Sequence, residues 1–291
     1  MAQVYIDAVR YIIESSNDLK VLSMVQGSKR ALDENHFLPT WVPRLDQPYG
    51  GLHIEFNENR IYKASNRMLQ PVIPQVEENA LVLRGIRFDL IGVDRIDRSA
   101  VSSDDRELYL QFNGQLFCDI WDSMGAKAHA YTEGWDRISA FYMTMTVGKT
   151  VPRTSASWDR THWASISAYE KKLAHAAEAS GREPSTRLQS WKEAINDLEG
   201  DPEALEYLMA SLCMNRRVFT TYKGYLGLGP CDMRAGDVVC ILFGGRVPYV
   251  LRDMGSHWQF IGECYVHGIM KGEAVDDFDG NVSNAEIFEL R

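Results

Sequence analysis

What this chain lacks narrows its chemistry first. Its five cysteines (Cys118, Cys213, Cys231, Cys240 and Cys264) are odd in number and widely spaced. They form no Cys-x-x-Cys pair, which argues against a zinc knuckle or a redox dithiol. Most sit in apolar runs and read as buried, reduced thiols. The seven histidines show no His-Glu-x-x-His or comparable metal-ligand spacing, and His162 and His175 are too far apart to form a local ligand pair. No Gly-x-Ser-x-Gly elbow occurs. Gly224, Gly227 and Gly229 stand in the wrong order for a dinucleotide fingerprint, with Pro230 where a helix would have to begin. No run of lysine and arginine is long enough to mark a nucleic-acid or membrane footprint, and the net charge of −9 argues the same way. Nor is there a stretch near the ~20 apolar residues of a membrane span. The N-terminus carries Asp7 and Glu14 inside its apolar pattern, unlike a signal peptide. Hydrolase, metalloenzyme and nicotinamide-enzyme readings all lose support, no metal or cofactor is expected, and the expected location is the cytoplasm.

What is present is an ordinary globular composition, 45% hydrophobic and 24% charged over 291 residues, enough to bury one large core. Val4, Ala8, Tyr11 and Ile12 recur at helical spacing, with Leu19 in line, and predict an amphipathic helix over 3–26 ending at Gly27. The prolines and glycines from Phe37 to Gly51 exclude regular structure there, with Trp41 as a hydrophobic anchor between Pro39 and Pro43. Residues 52–65 and 80–97 read as strands. Arg84 and Arg87 fall on opposite faces of a regular strand unless Gly85 kinks it. Helical spacing runs from Asp105 to Val147, then over 158–180, 186–198 and 201–212, the last with Asp201 as N-cap and Pro202 in the first turn.

The end of the chain is β-rich. Between Arg217 and Val275, three runs are separated by Gly-Asp, Gly-Gly-Arg-Val-Pro and Met-Gly-Ser turns. Gly244–Pro248 predicts a hairpin connection with Arg246 at an exposed tip. Gly224, Gly227 and Gly229 predict a tight bend or a close backbone approach. Glu263, Tyr265 and His267 would share one face of a regular strand, with Cys264 and Val266 on the other. That face suits either proton transfer in a pocket or a buried network fixing the sheet. The whole order predicts an α+β protein: an antiparallel sheet or small barrel with a helical insertion and an N-terminal helix. It is expected as a single domain over 1–291, with helix, loop and strands in 1–104, the insertion in 105–215 and the β-rich part in 216–291.

Several phrases, in order, carry a family resemblance. They are HFLPTWVPRL, IYKAS, MNRRVFTTYKGYLGLGP, AGDVVCILFGGRVPYVLR and FIGECYVHGIMKGEAV. The chain resembles the region downstream of the HET (heterokaryon incompatibility) domain in filamentous-fungal proteins. Leu45 departs from that family's second tryptophan in the Trp-Val-Pro phrase, and residues 151–200 are the least familiar. The resemblance implies a chain that opens where the HET effector would have ended, and so a poor candidate for triggering incompatibility by itself. Similar stand-alone proteins are associated with hetero-Diels–Alder coupling in tropolonic sesquiterpenoid pathways.

Two functions follow as expectations. One is a cofactor-independent secondary-metabolite enzyme promoting an intermolecular hetero-Diels–Alder cycloaddition, after acid-assisted dehydration to a quinone methide. Its partners would be apolar small molecules, a tropolone-derived quinone methide and a sesquiterpene such as humulene, and exposed sheet edges would allow a homodimer. His267, Tyr265, Arg84 and Arg87 are the candidate donors and acids. Trp41, Phe141 and Trp258 are the candidate stacking walls, with the ISAFYMTMTVG run as an apolar lining or as plain core. The other is a non-enzymatic recognition or regulatory module acting through protein contacts.

Overall fold

One long strand organises the β part of the molecule. In the computed structural model β1 spans Leu81–Asp94 and pairs with three different strands along its length. The structure describes residues 2–25, 38–44, 52–55, 62–66, 68, 79–94, 114–124, 127–131, 135–149, 158–181, 200–276 and 285–291. The predicted stop at Gly27 and the predicted helix over 186–198 lie outside the described residues. The chain divides into two compact units, one of residues 1–97 with 215–291 and the other of residues 98–214.

In the first unit, seven further strands follow β1: β2 (Arg216–Thr221), β3 (Leu226–Pro230), β4 (Val238–Leu242), β5 (Tyr249–Asp253), β6 (Trp258–Glu263), β7 (Tyr265–Val266) and β8 (Glu286–Leu290). The order β4-β5-β6-β8-β1 closes on itself because β1 also pairs with β4, so five strands form a barrel. The far end of β1 leaves the barrel to pair with β2, which continues into β3 and β7 as a second sheet. Gly85 is where β1 is shared, facing Leu242 on one side and Glu286 on the other. A Cβ there would lie 2.4 Å from the carbonyl oxygen of Ile241. Beyond it the pairing with β4 slips between Arg87 and Asp89, and such bulges re-aim a strand as it turns a corner.

The weakest joint of the ring is between β6 and β8, which are parallel and meet at the single register pair Trp258 and Leu290. Thr40 bridges that seam. Its hydroxyl donates to the carbonyl of Arg291 in the chain end beyond β8 and accepts from the amide of Phe260 in β6, at 2.9 Å. The neighbouring Trp41 is fully buried, donates from its indole N–H to the carbonyl of Asn79 at 3.1 Å and lies under the Arg10 guanidinium. The anchor read from the Trp-Val-Pro phrase is therefore real, and it ties an irregular segment across the barrel opening.

Both faces of β4 are covered. Every residue of β4 is buried, although successive side chains point to opposite sides. Ile86, Val239, Ile241, Val250 and Ile261 share a cluster with Phe219, Cys264 and Val266 of the second sheet region. Tyr249, Phe260 and Phe288 are among the largest fully buried side chains. Gly227 faces the ring of Phe219, where a Cβ would come within 2.3 Å. The expected close approach thus replaces any nucleotide loop.

Three expectations for this unit need correction. The N-terminal helix α1 ends at Ser16 and is followed by a 3-10 turn over Lys20–Met24. Asn17 takes a left-handed conformation with φ 50°, and the Asp18 carboxylate accepts from the Lys20 amide at 2.6 Å, so the helix cannot run through. Its buried face is Ile6, Val9 and Ile13, while Val4, Tyr11 and Ile12 face solvent. Two apolar stripes compete on this helix, and packing buried the one formed by Ile6, Val9 and Ile13. The described parts of 52–65 are not strand; residues 52–55 are held by side chains, whereas the Lys63 and Ala64 amides donate to the carbonyls of Met270 and Arg246.

In the second unit the helices are α2 (Gly114–Met124), α3 (Trp135–Met145), α4 (Trp158–Ala179) and α5 (Pro202–Cys213). Asp201 caps α5 by accepting from the Ala204 amide at 2.8 Å, with Pro202 in the first turn, as the sequence predicts. α5 packs against α4, and Lys172 pairs with Glu206 at 2.6 Å. A last short helix, α6 (Glu273–Asp276), belongs to the first unit. No helix among the described residues is long and apolar enough to cross a membrane.

Gly85→Ala tests the shared position. It should cost about 3 kcal/mol or more, seen as a lower urea midpoint with an unchanged slope.

Candidate functional site

The densest polar chemistry lies where the strap of residues 52–55 meets the end of β6. The Glu263 carboxylate accepts from the amides of Ile54 at 2.6 Å and Glu55 at 3.1 Å. Arg216, at the start of β2, donates to the same carboxylate at 2.9 Å, and both side chains are almost wholly buried. Arg216 also donates to the Leu52 carbonyl at 2.7 Å. A segment without a strand ladder thus has its backbone groups satisfied by one buried ion pair.

Glu55 sits beside this pair. Its Oε2 accepts from the Ser23 hydroxyl at 2.9 Å. Its Oε1 is buried without a hydrogen-bond partner among the described residues, with the Arg246 Nε 3.8 Å away, near enough for charge attraction but not for a hydrogen bond. Burial pushes the Glu55 carboxyl up to about 8; the Ser23 hydroxyl opposes this, the charges of Asp18 and Glu263 add to it, and Arg246 opposes it. Arg246 is therefore no exposed tip. The Gly244–Pro248 turn does connect the β4–β5 hairpin, but it folds back so that Arg246 pairs with Asp18 at 3.2 Å. The pull of two acidic groups outweighs solvation of the guanidinium at the turn.

The seven candidate residues are dispersed. Tyr265 and His267 do meet: the phenol oxygen is 3.2 Å from the His267 Nδ1, and Tyr265 is buried while His267 is half-buried. Tyr62 stands edge-on to Tyr265 with ring centres 6.4 Å apart. Burial raises the Tyr62 hydroxyl, with the Glu263 charge adding and Arg216 opposing. Glu263 does not share this pair's strand. The chain breaks at Cys264, so Glu263 ends a barrel strand while Tyr265 begins a two-residue strand paired with β3. The expectation of three side chains on one strand face fails at that break.

Arg87 and Trp258 form a second pair. The Arg87 guanidinium lies 5.1 Å from the Trp258 ring centre and 2.9 Å from the Glu286 carboxylate on the exposed barrel wall. Trp258 packs edge-on to Phe288. Arg84 is half-buried, and its carbonyl accepts from the Phe243 amide. Trp41 is buried at the β6–β8 seam, as described. Phe141 belongs to the second unit, in an aromatic cluster with Phe117 and Trp121 at 5.1 Å each. Sequence reasoning missed Glu55, Ser23 and Arg216. Arg216 lies at the border of a recognised phrase, whereas Ser23 and Glu55 carry no local signal.

The two buried thiols, Cys240 and Cys264, offer no nucleophile here. Burial pushes Cys240 and Cys264 well above the usual thiol range, the inert end of cysteine behaviour. No group of three or more His, Cys, Asp or Glu side chains able to hold a metal occurs among the described residues.

The second unit has its own buried polar groups. The Tyr142 hydroxyl donates to Glu170 at 2.7 Å in the core. His162 on α4 is buried, and neither ring nitrogen has a hydrogen-bond partner among the described residues. Burial lowers its pKa to about 4. Its neutral form is therefore favoured in the folded state.

Two outcomes follow. Arg216→Met should cost about 3–5 kcal/mol by leaving Glu263 buried and unpaired. Adding Glu263→Met should not restore stability, because the Ile54 and Glu55 amides then lose their acceptor; urea denaturation of both variants decides this. For His162, the unfolded form takes up a proton near pH 6.5 and the folded form only near 4. Stability held above 6.5 should therefore fall by on the order of 3 kcal/mol as pH drops through that window. In His162→Leu the hydrogen-exchange protection of α4 should lose this acid dependence.

The Het-6 beta-barrel domain model matches residues 119–280. That span takes in the helices of the second unit from within α2 and the strands β2 to β7, but neither β1 nor β8, which close the ring. Heterokaryon incompatibility protein 6, OR allele, of Neurospora crassa is 24% identical over 321 aligned residues, covering 95% of this chain and 45% of that protein. The chain thus spans less than half the length of the curated relative it matches. No solved structure matches it. With more than half of its length matched and an α+β barrel architecture, the chain belongs to the Het-6 beta-barrel domain family.

Proposed function

We propose that this chain is a recognition module of the heterokaryon-incompatibility type, acting through protein contacts made by its outer surface. The observation that carries this reading is the filled barrel. A ring of five strands is narrower than the eight-stranded barrels whose interiors side chains just fill, and here every residue of β4 is buried while the strands supply Val239, Ile241, Val250 and Ile261 to one core cluster. The most elaborate polar chemistry, around Glu263, is spent on holding a backbone strap. On the outside, Tyr222, Met254 and Ile287 expose apolar surface around the strands. The relative named for heterokaryon incompatibility supports the same direction.

A second reading keeps the expected cycloaddition chemistry, and the Tyr265–His267 pair favours it. A half-buried imidazole bonded to a phenol can protonate a leaving hydroxyl and so assist loss of water to give a quinone methide. Coupling to an apolar sesquiterpene would then draw on orientation, for which roughly 7–11 kcal/mol is available from proximity. Tyr62 and Tyr265 would supply the nearest aromatic surface.

A heterokaryon growth assay tests the first reading. The chain is expressed in one of two fungal strains whose fusion already triggers heterokaryon incompatibility, and viability after hyphal fusion is scored. The expected outcome is a change in viability that Tyr222→Glu and Ile287→Glu abolish; equal viability with and without the chain defeats the proposal. For the second reading, a reactive quinone methide and humulene are combined with the purified protein. Product ratio and stereochemistry should change with wild type and revert with His267→Ala, and products identical to the protein-free reaction eliminate it.

A further inference from the structure

The strap joint holds an imbalance of charge. Three carboxyl groups face one another across it: Asp18 before the 3-10 turn, Glu55 on the strap and Glu263 at the end of β6. Two guanidiniums answer them, Arg216 from β2 and Arg246 from the β4–β5 connection. Among the described residues the other titratable neighbours are the phenols of Tyr62 and Tyr249, whose protons burial retains, and the imidazole of His53, whose Nδ1 lies 2.8 Å from the Ser23 carbonyl. A proton on one carboxyl group offsets the excess of carboxylates over guanidiniums in this largely buried space.

The hydrogen bonds show which group carries it. Glu263 accepts from three N–H donors. Asp18 accepts from the Lys20 amide and from Arg246. Glu55 accepts from Ser23 at one oxygen and has no donor at the other among the described residues. A bare buried oxygen is costly on a carboxylate and far less so on a neutral acid. The Glu55 amide is itself one of the donors to Glu263, so a charge on Glu55 would arise within one residue of the bond that seats the strap.

We propose that this joint is a proton-operated latch: a proton on Glu55 keeps the strap of residues 52–55 seated on the barrel, and its loss releases the strap. The sign follows from the direction of the shift. The folded state holds the Glu55 proton more tightly than the unfolded chain, so the seated form is fully favoured in acid. It is progressively lost as pH rises through about 8. The bond from Ser23 favours the ionised form and so sets where release occurs. The latch does not depend on either functional reading, since it concerns only how the strap is held.

Amide exchange of Ile54 and Glu55 in the intact chain reads the latch directly, with each rate divided by that of an unstructured peptide at the same pH. Between about pH 7 and 9, protection in wild type should fall by about tenfold or more, a factor that one pH unit beyond a titration carries. Glu55→Gln should remain protected throughout, and Ser23→Ala should move the fall to higher pH. Constant wild-type protection, or a Gln variant that falls in step with wild type, overturns the latch. Should Glu55→Gln not fold, Ser23→Ala carries the test, and an unmoved or lowered midpoint overturns it. The carboxyl carbon of Glu55, followed by NMR in wild type, should titrate near 8; titration in the ordinary carboxylate range is equally decisive against the proposal.

Discussion

The Glu263 carboxylate is the point on which the first unit depends. It ends a barrel strand, takes a guanidinium from the second sheet and accepts two consecutive amides from a strap that has no strand partner. An ion pair buried this deeply gains little over an apolar substitute in net stability. Its value is positional, because the amides of the strap would otherwise be buried without an acceptor. A carboxylate that bonds three N–H groups from two segments fixes where an irregular chain can lie. The surrounding acids then face a crowded, poorly solvated space, and this is the origin of the displaced titration of Glu55.

The barrel follows the same logic at its seam. Four of its five joints are antiparallel ladders, whose hydrogen bonds define their own register. The fifth is parallel and touches at one residue pair, and a threonine hydroxyl from the Pro39–Pro43 loop completes it. Irregular segments thus serve as structural members here. The 38–44 loop closes the ring, and the 52–55 strap covers the end of β6.

Local pattern made much of this legible. The cap Asp201-Pro202 announces α5, a β-branched, partly alternating run announces β1, a continuous apolar run announces β4, and the Gly-Gly-Arg-Val-Pro turn announces a hairpin. Helix α1 was legible as a helix but not as to which face it buries. Ile6, Val9 and Ile13 compete with Val4, Tyr11 and Ile12 on opposite sides of the helix, and only the surface they meet selects between them. The site was less legible still. Tyr265 and His267 are two residues apart and do bond, yet Glu263 ends β6, Tyr265 begins β7 and His267 lies in the turn beyond it, breaks that alternation does not signal.

The sequence alone determined the family, the α+β class and the position of most helices and strands, because propensity, caps and turn residues act over a few positions. Ring closure through β1 and β8, the bridging role of Thr40 and the assembly of Ser23, Glu55, Arg216, Arg246 and Glu263 were decided only by tertiary structure. Glu55 and Glu263 are more than two hundred residues apart, and their coupling depends on distance and burial in space. Neither quantity is written into any local run of residues, so the protonation of the joint became readable only once the chain had been folded around it.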